Sequence, residues 1–390
     1  MAIGCSGPVD EGTDSAETVA SARQALQAAN TWSAWYFDVD GGIKALPAGV
    51  FGTDAPAVSS AYEGYCATTC DTGHELLRVI QQASNGKYYS TFWTPSNAWN
   101  AGWTALSTTT FSRKPAITSW DFPLGGVQPE ATISLVAGVS GGTVKTWKMG
   151  TPQGTVTTSS SWSTTNITGC TGPVALAQDQ PGTSSGNMYL FCTQADDTVH
   201  GWRIAKSSFG TSGHPTTWTA IASTSGTIAD NFAISAGQIW NTQINVFAQD
   251  PTTQQYWINY FVLSSSTWNG WQPIPLFITA GQALTAGPTA VTRGTGGRVD
   301  VFGPVGQDVG GSFVQPASDA FYSDASGWNW NPNVPTNNPI PNTVPAGVGA
   351  SLFTHVSSGT PHKYIELFAL DPSTGKLKET VYRYPTSLGG

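Results

Sequence analysis

A four-residue pattern, apolar–variable–apolar–apolar, runs six times through the chain. Its copies are Leu77-Arg78-Val79-Ile80, Ile133-Ser134-Leu135-Val136, Met188-Tyr189-Leu190-Phe191, Ile244-Asn245-Val246-Phe247, Val299-Asp300-Val301-Phe302 and Ile365-Glu366-Leu367-Phe368. Runs of this length, rich in β-branched and aromatic residues, read as strands. Turn-forming residues follow each copy: Ser84-Asn85-Gly86, Ser140-Gly141-Gly142, Ala195-Asp196-Asp197, Asp250-Pro251-Thr252, Val305-Gly306-Gln307 and Asp371-Pro372. Gly, Asn and Asp accept positive φ and Pro presets φ, so these segments predict hairpins. A third strand comes next, with an apolar residue and often an aromatic three places on, as in Tyr89/Phe92, Val144/Trp147, Val199/Trp202 and Trp257/Tyr260. A Trp-bearing segment ends most units, at Trp99 and Trp103, Trp162, Trp218, Trp268 and Trp271, and Trp328 and Trp330.

A short opening strand precedes each unit, at Pro56, Pro115, Pro173, Asn231, Pro288 and Pro345, with intervals of 59, 58, 58, 57 and 57 residues. Each unit is therefore four strands in about 58 residues, and its strands are apolar on both faces rather than alternating. That is the pattern of sheets buried between neighbouring sheets. The expected fold class is all-β: a six-bladed β-propeller of four-stranded antiparallel blades. The last unit lacks a Trp-bearing fourth strand, whereas Thr31-Trp32-Ser33-Ala34-Trp35-Tyr36-Phe37 precedes the first opening and is similar to Ser266–Trp271. Residues 31–37 are thus expected to complete the last blade and close the ring, which removes the open edge. The propeller spans 31–390, and residues 1–30 form a tail of different composition.

Composition agrees with this reading. Among 390 residues there are 44 Gly, 25 Pro and 16 Trp, and only 10% are charged, against a usual ~25%. The net charge of −8 argues against nucleic acid, which needs clustered Lys and Arg. No apolar run is long enough for a transmembrane helix. Of the five cysteines, Cys66–Cys70 and Cys170–Cys192 are the natural disulfide pairs, although spacing alone does not fix connectivity and buried free thiols remain the alternative. Low charge and an even core cysteine count point to an oxidising compartment. Cys5, in Ala2-Ile3-Gly4-Cys5-Ser6-Gly7, resembles the end of a bacterial lipoprotein signal, which implies a lipid anchor and an extracellular or cell-surface location. The basic and apolar segments of a signal peptide do not precede it.

Catalytic motifs are scarce. His74, His200, His214, His355 and His362 show no metal-ligand spacing, and neither a nucleophile elbow nor a phosphate loop occurs. Glu63, Asp121, Glu130, Asp300 and Glu366 offer carboxylates that nothing in the sequence pairs. Asp38-Val39-Asp40-Gly41 begins like a calcium loop but has no distal bidentate acid, so a plain turn is expected and no cofactor or metal is assigned. What does recur is the variable position of strand two: Arg78, Ser134, Tyr189, Asn245, Asp300 and Glu366, each able to hydrogen-bond and each expected to be exposed. On strand three, Ser90, Lys145, His200 and Lys378 follow the apolar anchor, with Trp147 and Trp202 close by. Polar groups beside flat rings suit sugars, whose hydroxyls need directional hydrogen bonds and whose C–H faces pack on aromatics. The plainer alternative is that these groups serve the interblade backbone and the Trp rings are core wedges.

Leu77-Arg78-Val79-Ile80-Gln81-Gln82, then Asn85-Gly86, then Trp99-Asn100-Ala101-Gly102-Trp103 resemble the blade of the six-bladed fucose-binding lectins of fungi and bacteria. Gly297-Arg298-Val299-Asp300-Val301-Phe302 resembles the repeat of the bacterial tandem-repeat propeller lectins. The resemblance covers residues 31–390 in architecture and a few residues in each blade. It implies that an Arg on strand two, an acid on strand three and an aromatic of a neighbouring blade hold each sugar. Arg78 fills the Arg place, Ser90 stands near the acid's place, and no blade carries the full set. The expected function is glycan binding without catalysis by a secreted or surface-tethered propeller. A structural or adhesion propeller with a surface-protein partner, or an enzyme with a central-channel site, are the alternatives.

Overall fold

In the computed structural model of the chain, the described residues are 36–37, 55–60, 76–94, 98–99, 102–122, 131–150, 156–180, 184–226, 228, 234–250, 253, 255–275, 282–284, 287–292, 298–309, 312–314, 317–323, 327–331, 347–357, 360–371 and 376–383. Among them the strands fall into six antiparallel sheets, and the fold is a six-bladed β-propeller. Blade one comprises Ala57–Ser60, Leu77–Gln82, Tyr88–Thr94 and the short outer pieces Ala98–Trp99 and Thr104–Ala105. Blade two comprises Ala116–Phe122, Ala131–Ser140, Thr143–Gly150 and Ser163–Thr168. Blade three runs through Cys170–Gln178, Asn187–Gln194, Val199–Ala205 and Thr219–Ile221. Blade four holds Ser235–Gly237, Gln243–Gln249, Tyr256–Val262, Thr267–Trp268 and Gln272–Pro273. Blade five centres on Thr289–Thr292, Arg298–Val309, Ala317–Ser323 and Gly327–Asn331. Blade six holds Gly349–Ser357, Thr360–Asp371 and Lys376–Arg383.

The fourth strand of blade six is Tyr36–Phe37, with Tyr36 opposite Glu379 and Phe37 opposite Lys378. The expected closure by the N-terminal segment is present. Every copy of the apolar–variable–apolar–apolar pattern lies in a second strand. The turns behave as their residues predict: Gly86 has φ +76°, and Gly141 and Gly142 have φ +59° and +75°, the paired positive values of a two-residue hairpin turn.

One predicted boundary is corrected. Val305-Gly306-Gln307 is not a turn; it continues the strand Arg298–Val309, which pairs onward with Gln282–Leu284 and Ser312–Val314. A β-rich sequence with one Gly extends where partners are available on both sides. The blade-four opening at Asn231 lies outside the described residues, and the first described strand there starts at Ser235.

The core lies between blades rather than within a single central mass. Blade four meets blade three through Ile244, Val246 and Ala248 against Tyr189 and Phe191. Phe247 meets Val299 and Val301 of blade five, Phe302 meets Ile365 and Leu367 of blade six, and Phe368 meets Leu77 and Val79 of blade one. The outer tryptophans wedge these joints. Trp162 Nε1 donates to the Leu106 carbonyl of the preceding blade at 2.7 Å, and Trp268 Nε1 to the Ala222 carbonyl at 2.6 Å. Trp99 packs edge-on against Phe368 of blade six at 5.7 Å. For these rings the wedge alternative holds.

Close approach between blades one and two is set by Gly138, where an added Cβ would lie 2.5 Å from the Tyr88 ring. The first strands surround an open central channel, to which every blade contributes an alanine: Ala57, Ala116, Ala175, Ala236, Ala290 and Ala350. Among the described residues no helix is long and apolar enough to cross a membrane.

Cys170 and Cys192 form a disulfide with Cα atoms 5.8 Å apart, joining strands one and two of blade three where the ladder slips register. Cys66 and Cys70 lie outside the described residues, as do Cys5, Asp38, Asp40, Glu63, His74 and Glu130. Replacing Cys192 by Ala should lower stability by about 3 kcal/mol, the entropy of releasing a loop of this length in the unfolded chain. The denaturant midpoint of the variant against the oxidised parent checks it.

Candidate functional site

The variable positions of strand two are buried, not exposed. Arg78 is 5% accessible, Tyr189 1%, and Ser134, Asn245, Asp300 and Glu366 are 0%. The reason is architectural: both faces of a blade are covered by neighbours, so the variable residue points into an interblade joint.

Side chains alternate faces along a strand, so one step of register reverses what a residue meets. In blades three to six the residue two places after the variable one (Phe191, Phe247, Phe302, Phe368) packs on the following blade. In blade one Ile80 does the same, packing towards blade two. Blade two is out of phase. Its Val136 meets Ile80 and Tyr88 of blade one, whereas Ile133 and Leu135 meet Met188 and Leu190 of blade three. Ser134 therefore faces back towards blade one and bonds Ser119 Oγ across 2.8 Å.

The strand-three set is likewise not one structural position. Ser90 lies opposite Ile80, Lys145 opposite Gly138, His200 opposite Cys192 and Lys378 opposite Ala369. His200, half-buried, pairs through Nε2 with Asp196 Oδ2 at 2.9 Å and stacks near Trp202. The hydrogen bond from His200 holds the exposed Asp196 carboxyl down to about 2. Tyr189 donates to Asp179 Oδ2 at 3.1 Å, so it too is internally satisfied. Glu366 shares a hydrogen bond with Glu379, and burial, then that second carboxyl, raise it well above the usual carboxylate range.

One joint does bring the predicted residues together. Between blades one and two lie Arg78 and Ser90 of blade one and Trp147 of blade two. Arg78 Nη2 donates to the Gly150 carbonyl at 3.2 Å and Nη1 to Met149 Sδ at 3.3 Å, both on blade two. Its guanidinium carbon lies 5.5 Å from the centre of the Phe92 ring, directly across the ladder. Among the described residues no carboxylate pairs with it. Burial lowers the guanidinium to about 10. Three buried polar atoms of this joint have no hydrogen-bond partner: Arg78 Nε, Ser90 Oγ and Trp147 Nε1. Buried polar atoms are normally paired, so three exceptions in one joint leave hydrogen-bonding capacity there that an ordered water or another group can take up. Met149 and Gly150, which receive the guanidinium, carry no sequence signal of their own.

The second polar centre was not foreseen. Lys148, 1% accessible, crosses from blade two to donate Nζ to the carbonyls of Gly210, Thr211 and Gly213 in blade three. Beside it His214 is ringed by hydroxyls: Nδ1 lies 2.8 Å from Ser159 Oγ and 3.1 Å from Ser163 Oγ, and Nε2 lies 2.9 Å from Thr146 Oγ1. Burial, then the Lys148 charge, lower His214 to about 4. Among the described residues no three His, Cys, Asp or Glu side chains gather as a metal site.

The Aleuria aurantia lectin, described as a six-bladed β-propeller with a novel fucose recognition mode, aligns with 17% identity and TM-score 0.52, covering 86% of this chain and 97% of the lectin. This chain shares that lectin's fold. A mutant of the same lectin in complex with alpha-methyl-L-fucoside aligns over the same shares with 17% identity and TM-score 0.51. No protein-family model and no curated protein sequence matches the chain.

The folded His214 binds a proton less readily than the unfolded one. Stability is therefore expected to fall as pH drops from 6.5 through about 4. Melting temperatures at pH 7 and pH 4.5 check this, and His214→Gln should flatten the difference.

Proposed function

We propose that the chain is a carbohydrate-binding propeller that acts without catalysis and whose principal site is the joint between blades one and two. The observation that carries this reading is the convergence of unpartnered buried donors there: Arg78 Nε, Ser90 Oγ and Trp147 Nε1, beside the Phe92 ring. A saccharide supplies what the joint lacks, namely directional acceptors and a C–H face for an aromatic wall. The strand-two Arg and the aromatic of a neighbouring blade are of the residue types that the resemblance to fucose-binding lectins implies for holding a sugar, which supports the reading. The described groups of the joint donate hydrogen bonds and include no general acid–base pair, which supports binding rather than turnover.

The remaining joints differ too much to act alike. Asn245, fully buried with both amide atoms unpartnered, supports a second site between blades four and five, whereas Tyr189 is occupied by Asp179. Weak sites of this kind gain strength from multivalent ligands. The Cys170–Cys192 disulfide supports work in an oxidising, extracellular setting, and attachment through Cys5 belongs to the same proposal.

The test is a glycan-array screen of the purified chain with Trp147→Phe as control. Retention of a defined saccharide family is expected, weakened about two- to tenfold by loss of the indole N–H. A chain that retains no saccharide rules the reading out, and the adhesion alternative then takes its place.

A further inference from the structure

The polar inventory of the joint between blades one and two is unbalanced. Trp147 Nε1 and the guanidinium can only donate. The Ser90 hydroxyl can do either, yet it stands where an acceptor is wanted. Register makes the gap explicit. The strand-three residue opposite the last apolar position of the pattern is Glu379 in blade six, opposite Phe368, and Asp319 in blade five, opposite Phe302. In blade one the same place, opposite Ile80, holds Ser90. Two blades carry an acid at this position; the blade that carries a buried Arg does not.

An isolated buried cation is costly unless an anion or several strong acceptors meet it. Arg78 has one carbonyl at 3.2 Å and one thioether, a weak acceptor, at 3.3 Å. The Phe92 face contributes a modest further attraction. None of these neutralises the charge, and the Nε edge stays free. A planar guanidinium beside a ring, with its buried Nε unpartnered, fits an oxyanion.

We propose that the joint between blades one and two takes an acidic saccharide, a glycan whose carboxylate or sulfate group pairs with Arg78 while Ser90 and Trp147 bind its hydroxyl or acid oxygens. The inference rests on the carbohydrate reading above and adds the charge class of the ligand. The ligand's anion stands in for the acid that blade one lacks.

The experiment uses the full chain on an array of matched saccharides: neutral, carboxylated and sulfated forms of common cores. Affinities for the bound pairs are then measured by calorimetry. The acidic member of a pair is expected to bind, and its neutral counterpart to bind at least about thirtyfold more weakly, the lower end for losing one partner of a buried charge pair. The carboxylated and sulfated sets separate the two sources of the anion. Arg78→Met, which removes the charge and keeps the volume, should cost a similar factor. Ser90→Asp supplies an internal acid, keeps Arg78 and should abolish the preference for acidic glycans, so it decides the matter if the first variant does not fold. Equal or tighter binding of neutral saccharides overturns the acidic inference and leaves the carbohydrate reading standing. Silence across all three sets overturns the carbohydrate reading itself. Acidic binding unchanged in either folded variant also overturns the inference, because the ligand is then held elsewhere.

Discussion

Every sheet of this molecule must be covered on both faces, and the rest of the structure follows from that. A lone four-stranded sheet has one face too many to bury. Six arranged around an axis cover one another, and the first and last are covered only because the ring closes through Tyr36–Phe37. The requirement explains the composition: large apolar side chains sit on both sides of each second strand, glycine marks closest approach, and tryptophan fills the wider outer part of each joint. It also explains why charge is sparse. A charged group at the variable position of a second strand is buried, as Arg78, Asp300 and Glu366 are.

That constraint raises the cost of polar residues in the joints, and the chain meets the cost in different ways. Lys148 is wrapped by three carbonyls of the next blade. Glu366 is paired with Glu379. Tyr189 is capped by Asp179. Arg78 is met only in part, and it is this shortfall beside Ser90 and Trp147, not the presence of an arginine as such, that distinguishes the joint between blades one and two.

The repeats, the hairpins and the closing strand were legible because they depend on local chemistry: Asn85-Gly86 and Gly141-Gly142 can turn where few other residues can, and the apolar pattern recurs in a fixed order. The phase of blade two was not legible. Where both faces are apolar, alternation gives no signal of direction, so Ser134 aligns with Arg78 in sequence while facing the opposite way. The long strand Arg298–Val309 was missed because its extension depends on distant partners. Arg78, Ser90 and Trp147 were found individually, yet their convergence depends on interblade packing. The Lys148 and His214 centre had no signal at all, since its partners are backbone carbonyls and scattered hydroxyls.

Closure through Tyr36–Phe37 places a strand made early in synthesis beside one made near the other end of the described chain. During translation that early strand has no lawful partner until almost all of the blades have been produced. The outer face of each newly made blade is covered only by the next one to emerge. The pairing of the oldest segment with the youngest cannot form before the last described strand has been made. A chain interrupted before Lys376–Arg383 leaves Tyr36–Phe37 without its partner.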